Sequence, residues 1–120
     1  MKGDEALVVS AFAAFLTSEG WTVRTEVEWV DVLAERDGVR LYCEAKGKTS
    51  SPGLDIDTAF GQLLRRMPQE DDPTAEFALV IRDEPRSVAA VERVPARVRD
   101  LLRITLYAVA ENGAVRTIGA

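Results

Sequence analysis

The sequence predicts an α/β domain with a mixed central sheet flanked by helices, and three observations carry the prediction. Asp37-Gly38 stands between two β-prone runs, which is the signature of a two-residue type I′ hairpin. Phe77-Ala-Leu-Val-Ile81 is a nearly continuous apolar run, as expected for a strand buried on both faces. Segments of helical character lie before, between and after these, so the order reads helix, three strands, helix, strand, helix, strands.

Each element has its own warrant. From Asp4 to about Ser18 the chain is so apolar (Ala6, Leu7, Val9, Phe12, Phe15, Leu16 among others) that a helix there should be covered over most of its surface. Asp4 and Glu5 suit the dipole of its first turn, and Gly20 suits its end. Trp21 to Val27 alternates as a first strand. The Asp37-Gly38 turn joins the second and third. Gly47 to Gly53 is a loop by composition, followed by a helix from about Ile56 to Met67 that Asp55 or Asp57 could cap and Pro68 should end. Gln69 to Ala75 reads as a solvated linker, and Glu76 to Arg82 as the central strand. Ser87 to Arg93 is helical, and Pro95 should open a further helix through Leu102. Ile104 to Ala110 and Ala114 to Ile118 should close the chain as a hairpin around Asn112-Gly113.

Composition narrows the function. The 120 residues suit a single domain, 1–120, with a core that needs no staples. No apolar run approaches the roughly 20 residues of a membrane span. The segment Met1-Lys-Gly-Asp-Glu does not resemble a secretory signal, and the single cysteine, Cys43, suits a reducing cytoplasm. Cys43 falls on an apolar strand face, as a core thiol. Histidine is absent, which excludes histidine-based triads and histidine zinc sites, so a metal would have to take oxygen ligands, as Mg²⁺ or Mn²⁺ does. The net charge of −5 does not advertise nucleic-acid binding, although Lys46, Lys48, Arg65 and Arg66 could form a local basic rim.

The hairpin concentrates the chemistry. With Asp37-Gly38 as its loop, Arg36 pairs with Val39 and, counting outward, Asp31 faces Glu44. One hairpin face is wholly apolar: Val30, Val32 and Ala34 opposite Leu41, Cys43 and Ala45. The other carries Trp29, Asp31, Leu33 and Glu35 opposite Lys46, Glu44, Tyr42 and Arg40. Like charges directly opposed on a sheet repel, so a cation is needed to relieve Asp31 and Glu44. Lys46 shares their face because strand side chains alternate with period two. Glu35 and Arg40 read as an ordinary cross-strand ion pair, and Trp29 and Tyr42 as packing groups. Gly47-Lys48-Thr49 lacks the preceding glycines and the immediate helix of a phosphate loop, so no nucleotide cofactor is expected.

A helix, a strand bearing Asp31, a strand bearing Glu44-Ala45-Lys46 and a helix carrying Gln62 together resemble the PD-(D/E)xK nuclease superfamily, nearest in layout to its archaeal Holliday junction resolvase-like members. Val30 stands where the name-giving proline would be, and Arg66 where a RecB-like branch has tyrosine. The resemblance covers residues 4 to about 82 and implies a restriction-endonuclease-like αβββαβ core. It further implies a Mg²⁺ or Mn²⁺ ion held by Asp31, Glu44 and the Ala45 carbonyl, with Glu5 of the first helix as an added acidic residue. Lys46 and Gln62 would be catalytic, and Lys48, Arg65 and Arg66 would contact DNA, with Thr49 and Ser50 near phosphate.

The expected activity is metal-dependent hydrolysis of DNA, structure-selective or partner-directed, since 120 residues leave no room for a target-recognition domain. A homodimer or a larger nuclease complex would extend the DNA-contacting surface. The competing reading is a non-catalytic nuclease-fold binding module, or an interaction subunit of a defence or repair complex. Removing Asp31 or Glu44 should abolish cleavage and leave stability unchanged or improved, because each deletion relieves a repulsion.

Overall fold

A computed structural model describes residues 3–27, 30–67 and 72–119. Their elements run α1 (Gly3–Ser18), β1 (Thr22–Val27), β2 (Val30–Arg36), β3 (Val39–Lys46), α2 (Pro52–Arg65), β4 (Glu76–Arg82), α3 (Pro85–Glu92), α4 (Ala96–Leu102), β5 (Ile104–Val109) and β6 (Val115–Thr117). The strands form one sheet in the order β1-β2-β3-β4-β5-β6. Pairing is antiparallel from β1 to β3, parallel from β3 through β4 to β5, and antiparallel again at β6. This is the mixed α/β, restriction-endonuclease-like architecture that the sequence predicts. No described helix is long and apolar enough to cross a membrane.

Alternation on the strands supplies two apolar layers. On one side α1 lays Val8, Val9, Phe12 and Leu16 over Val32, Ala34, Cys43, Ala45, Ala78 and Val80. On the other, Ile56, Ala59 and Leu63 of α2 and Ala90 and Val91 of α3 cover Phe77, Leu79, Ile81, Leu106 and Ala108. The two-faced burial of β4 accounts for its unbroken apolar run. Phe12 is fully buried, and its loss would cost about 3–5 kcal/mol. Cys43 is buried and free, and burial pushes its thiol well above the usual range, so it is a packing group.

The hairpin register is the predicted one: Arg36 pairs with Val39, Ala34 with Leu41 and Val32 with Cys43. Asp37 and Gly38 both have positive φ, 52° and 80°, as a type I′ turn requires. Glu35 lies 3.7 Å from Arg40 and 3.9 Å from Arg24, all exposed, a surface cluster worth little.

Three details depart from expectation. The outer row of α1 is not covered: Leu7 is 60% exposed, and Ser10 and Ala14 are exposed with it, because the helix lies on the sheet with no further layer outside. Helix α2 begins at Pro52, not near Ile56, because Ser51 takes the N-cap position and proline suits the first helical residue. Neither Asp55 nor Asp57 caps it; Asp55 instead accepts the Thr49 hydroxyl. Trp29, Pro68 and residues 69–71 of the expected linker lie outside the described residues.

Candidate functional site

Main-chain pairing in the hairpin runs regularly from its turn to Val32 and Cys43. Beyond that, the Ala45 N–H donates to the side chain of Asp31, 2.8 Å from Oδ2. One carboxylate oxygen thus does the work of a ladder carbonyl, and Asp31 is tied to the strand that carries Glu44. On β1, between the pairs Thr25–Val32 and Val27–Val30, Glu26 has a left-handed φ of 55°. For a residue other than glycine, that conformation inside a strand is a local strain beside the site.

Glu44 is 4% exposed, and its Oε1 has no hydrogen-bond partner among the described residues. Burial, then the charge and hydrogen-bonding contact of Asp31, push its carboxyl up to about 7; Arg66 and Lys46 pull the other way. The Arg66 Nε lies 3.6 Å from Oε1, a charge contact too long to be a hydrogen bond. Glu5 is half-buried, and burial followed by the Asp31 charge raises its carboxyl while Lys46 opposes the rise. Asp31, Glu44, Lys46 and Glu5 therefore influence one another at one end of the hairpin.

What brings α1 to that end is Gly47. A Cβ built on it would lie 2.5 Å from the Glu5 backbone nitrogen and 2.8 Å from the Asp4 carbonyl carbon, so only glycine lets the loop after β3 touch the helix start. Asp4 completes the contact by accepting the Lys48 N–H and the guanidinium of Arg82 from β4. Burial raises the Asp4 carboxyl, but these two partners outweigh it and hold the group below its usual value. A polar cleft of about 310 Å³ opens beside this clamp, lined by Asp4, Lys48, Arg82, Asp83, Glu84 and Glu111.

The remaining expected residues are placed unevenly. Gln62 is half-buried on α2, one turn before Arg66, and its carboxamide makes no hydrogen bond to the carboxylate pair among the described residues. Its carbonyl instead accepts from Arg66 Nη1 at 3.3 Å. Arg65 and Lys48 are exposed, as phosphate contacts would need, whereas Arg66 turns inward to Glu44. Tyr42 stacks on Phe77 at 5.7 Å in the α2 layer, a packing role. Sequence reasoning missed the inward Arg66 and the Asp4–Arg82–Gly47 clamp. Gly47 directly after Glu44-Ala-Lys46 was the available signal for the clamp.

The donor set suits a hard cation. It offers carboxylate oxygens without histidine, and the orphaned Glu44 Oε1 is a buried acceptor that an ion would satisfy. Among the described residues no three acidic or thiol side chains form a closed cage, so Glu5 stands near the pair without completing one. An open arrangement of two carboxylates fits Mg²⁺, which keeps several waters.

Among solved structures the chain is similar to an fdxN element excision controlling factor protein from Anabaena variabilis. The TM-score is 0.62 at 17% identity, covering 95% of this chain and 99% of that one. It is likewise similar to an XisH family protein from Nostoc punctiforme, with a TM-score of 0.59 at 17% identity over 94% and 99% of the two chains. At that identity the likeness is one of fold. No protein-family model and no curated protein matches the sequence.

Proposed function

We propose that the chain is a metal-dependent nuclease that hydrolyses DNA phosphodiester bonds, acting on a structured or partner-presented substrate. The observation that carries the reading is the buried, unsatisfied Glu44 Oε1 held against Asp31 with Lys46 alongside, an arrangement that costs stability and that a cation would relieve. Asp31 and Glu44 would hold Mg²⁺ or Mn²⁺, with the Ala45 carbonyl as a further oxygen. Bound there, the ion would polarise the phosphoryl group and make water a better nucleophile.

The chain's own groups supply the rest. Asp31 is oriented by its bond to the Ala45 N–H, which fixes its carboxylate beside that of Glu44, where the two would hold the ion. Lys46 orients the attacking water and offsets negative charge building on the phosphate. Lys48 and Arg65 lie exposed where backbone phosphates could be gripped. The name of one structural neighbour, an element excision controlling factor, supports a role on DNA. The net charge of −5 favours partner-directed over autonomous binding, and keeps a non-catalytic binding module as the second reading.

The test is cleavage of branched and linear DNA by the purified protein with Mg²⁺ or Mn²⁺. Asp31→Asn, Glu44→Gln and Lys46→Ala should each abolish the activity, and Lys46→Ala alone should retain ion binding. Wild-type protein that binds neither ion at millimolar concentration would favour the binding module.

A further inference from the structure

We propose that Arg66 is an internal counter-cation of the Asp31–Glu44 pair, holding against Glu44 the place that a divalent ion takes and released toward the substrate when the ion arrives. The proposal rests on the nuclease reading in one respect, that the pair takes a divalent ion.

Three features of Arg66 support it. Its Nε stands 3.6 Å from Glu44 Oε1, which neutralises the carboxylate without satisfying its lone pairs. A contact of that kind is open to replacement by a ligand that bonds the oxygen directly. Arg66 also occupies the C-cap of α2, and its Nη1 donates to the Gln62 carbonyl at 3.3 Å. The helix C-terminus attracts the guanidinium and gives it a resting place close to the pair. Finally, the side chain is 25% exposed against 5% for Glu44, so part of it already meets solvent.

The guanidinium cannot shed its proton to make room. A dication and Arg66 therefore repel one another at Glu44, and binding of the first weakens the hold on the second. Once displaced, Arg66 stands beside Arg65 at the end of α2, where its charge would meet a phosphate. Substrate and ion would then be coupled through one side chain: the ion frees the cation that the substrate needs.

The test is Mn²⁺ titration of the ion-binding protein, followed by the paramagnetic signal of free Mn²⁺ at low salt and mildly alkaline pH. Arg66→Gln should bind Mn²⁺ about tenfold more tightly than wild type, since a neighbouring positive charge is removed. Arg97→Gln removes the same charge from an exposed position of α4 and should change affinity by less than about twofold. Unchanged or weaker binding by Arg66→Gln, or an equal gain in Arg97→Gln, overturns the proposal while leaving the nuclease reading intact. Absence of Mn²⁺ binding in all three proteins overturns both. A wild-type measurement guards against a misfolded variant: on Mg²⁺ saturation the Arg66 Nε–H resonance should shift and exchange faster with water. A resonance that stays in place while Mg²⁺ binds overturns the proposal independently.

Discussion

Glu44 is ionised only against burial and against Asp31, so the pH dependence of stability has a defined sign. Its carboxyl is raised from 4.5 to about 7 by folding, which means that the folded state binds the proton more tightly than the unfolded chain does. The resulting stabilisation is fully present below about pH 4.5 and is lost as pH rises through about 7, on the order of 3 kcal/mol in all. Thermal melts without divalent ions should show this fall, and Glu44→Gln should flatten it and melt above wild type on the alkaline side. A wild-type midpoint that climbs across the window would contradict the assignment. Asp31 behaves differently, because its Oδ2 is the acceptor of the Ala45 N–H. Asp31→Ala strands that donor at a cost of about 1–3 kcal/mol, set against the repulsion relieved. Asp31→Asn keeps an oxygen in place, so it should melt higher than Asp31→Ala while being equally inactive. The sequence-based expectation of unchanged or improved stability is thus kept as a prediction for Glu44 and revised for Asp31.

At the scale of elements, the contact between the loop after β3 and the start of α1 is the joint to test. Gly47→Ala pushes a methyl into backbone on both Asp4 and Glu5, and backbone cannot swing aside as a side-chain tip can. We expect it to destabilise the fold by about 1–3 kcal/mol in denaturant melts. Gly61→Ala has open space around its Cβ inside a helix, and should stabilise by roughly 0.4–1 kcal/mol. If the two variants melt alike, α1 and the loop are not in the contact described. Much of this level was legible in the sequence. Asp37-Gly38 set the hairpin and its register, and the strict alternation of Val32, Ala34, Leu41 and Cys43 decided which face meets α1. The start of α2 was misplaced because Ile56 opens the apolar period, whereas backbone geometry at Ser51-Pro52 opens the helix.

For the molecule as a whole, the proposed DNA affinity would be carried by a few cations against a net charge of −5. With Lys46, Lys48, Arg65 and the ion-released Arg66 as the phosphate contacts, the logarithm of affinity should fall against the logarithm of salt with a slope of about −3.5. Fluorescence anisotropy in Ca²⁺ over a salt series measures it, and a flat response would exclude backbone recognition by this face. The long-range polar contacts were the illegible part. Asp4 meets Arg82 across most of the chain, and Arg66 could face outward or inward with equal propensity until α2 is packed. No local pattern encodes such pairs, because they depend on how elements stack and not on the spacing of residues within them.

The Ala45 amide offers a built-in gauge of the site. Its hydrogen is held by the Asp31 carboxylate, not by a main-chain carbonyl of the neighbouring strand. Deuterium uptake at that single position should therefore track the hold of Asp31 on β3, while the adjoining ladder amides report only the sheet. A protein without histidine resonances would in this way carry its own indicator of events at the pair, readable in the unmodified chain.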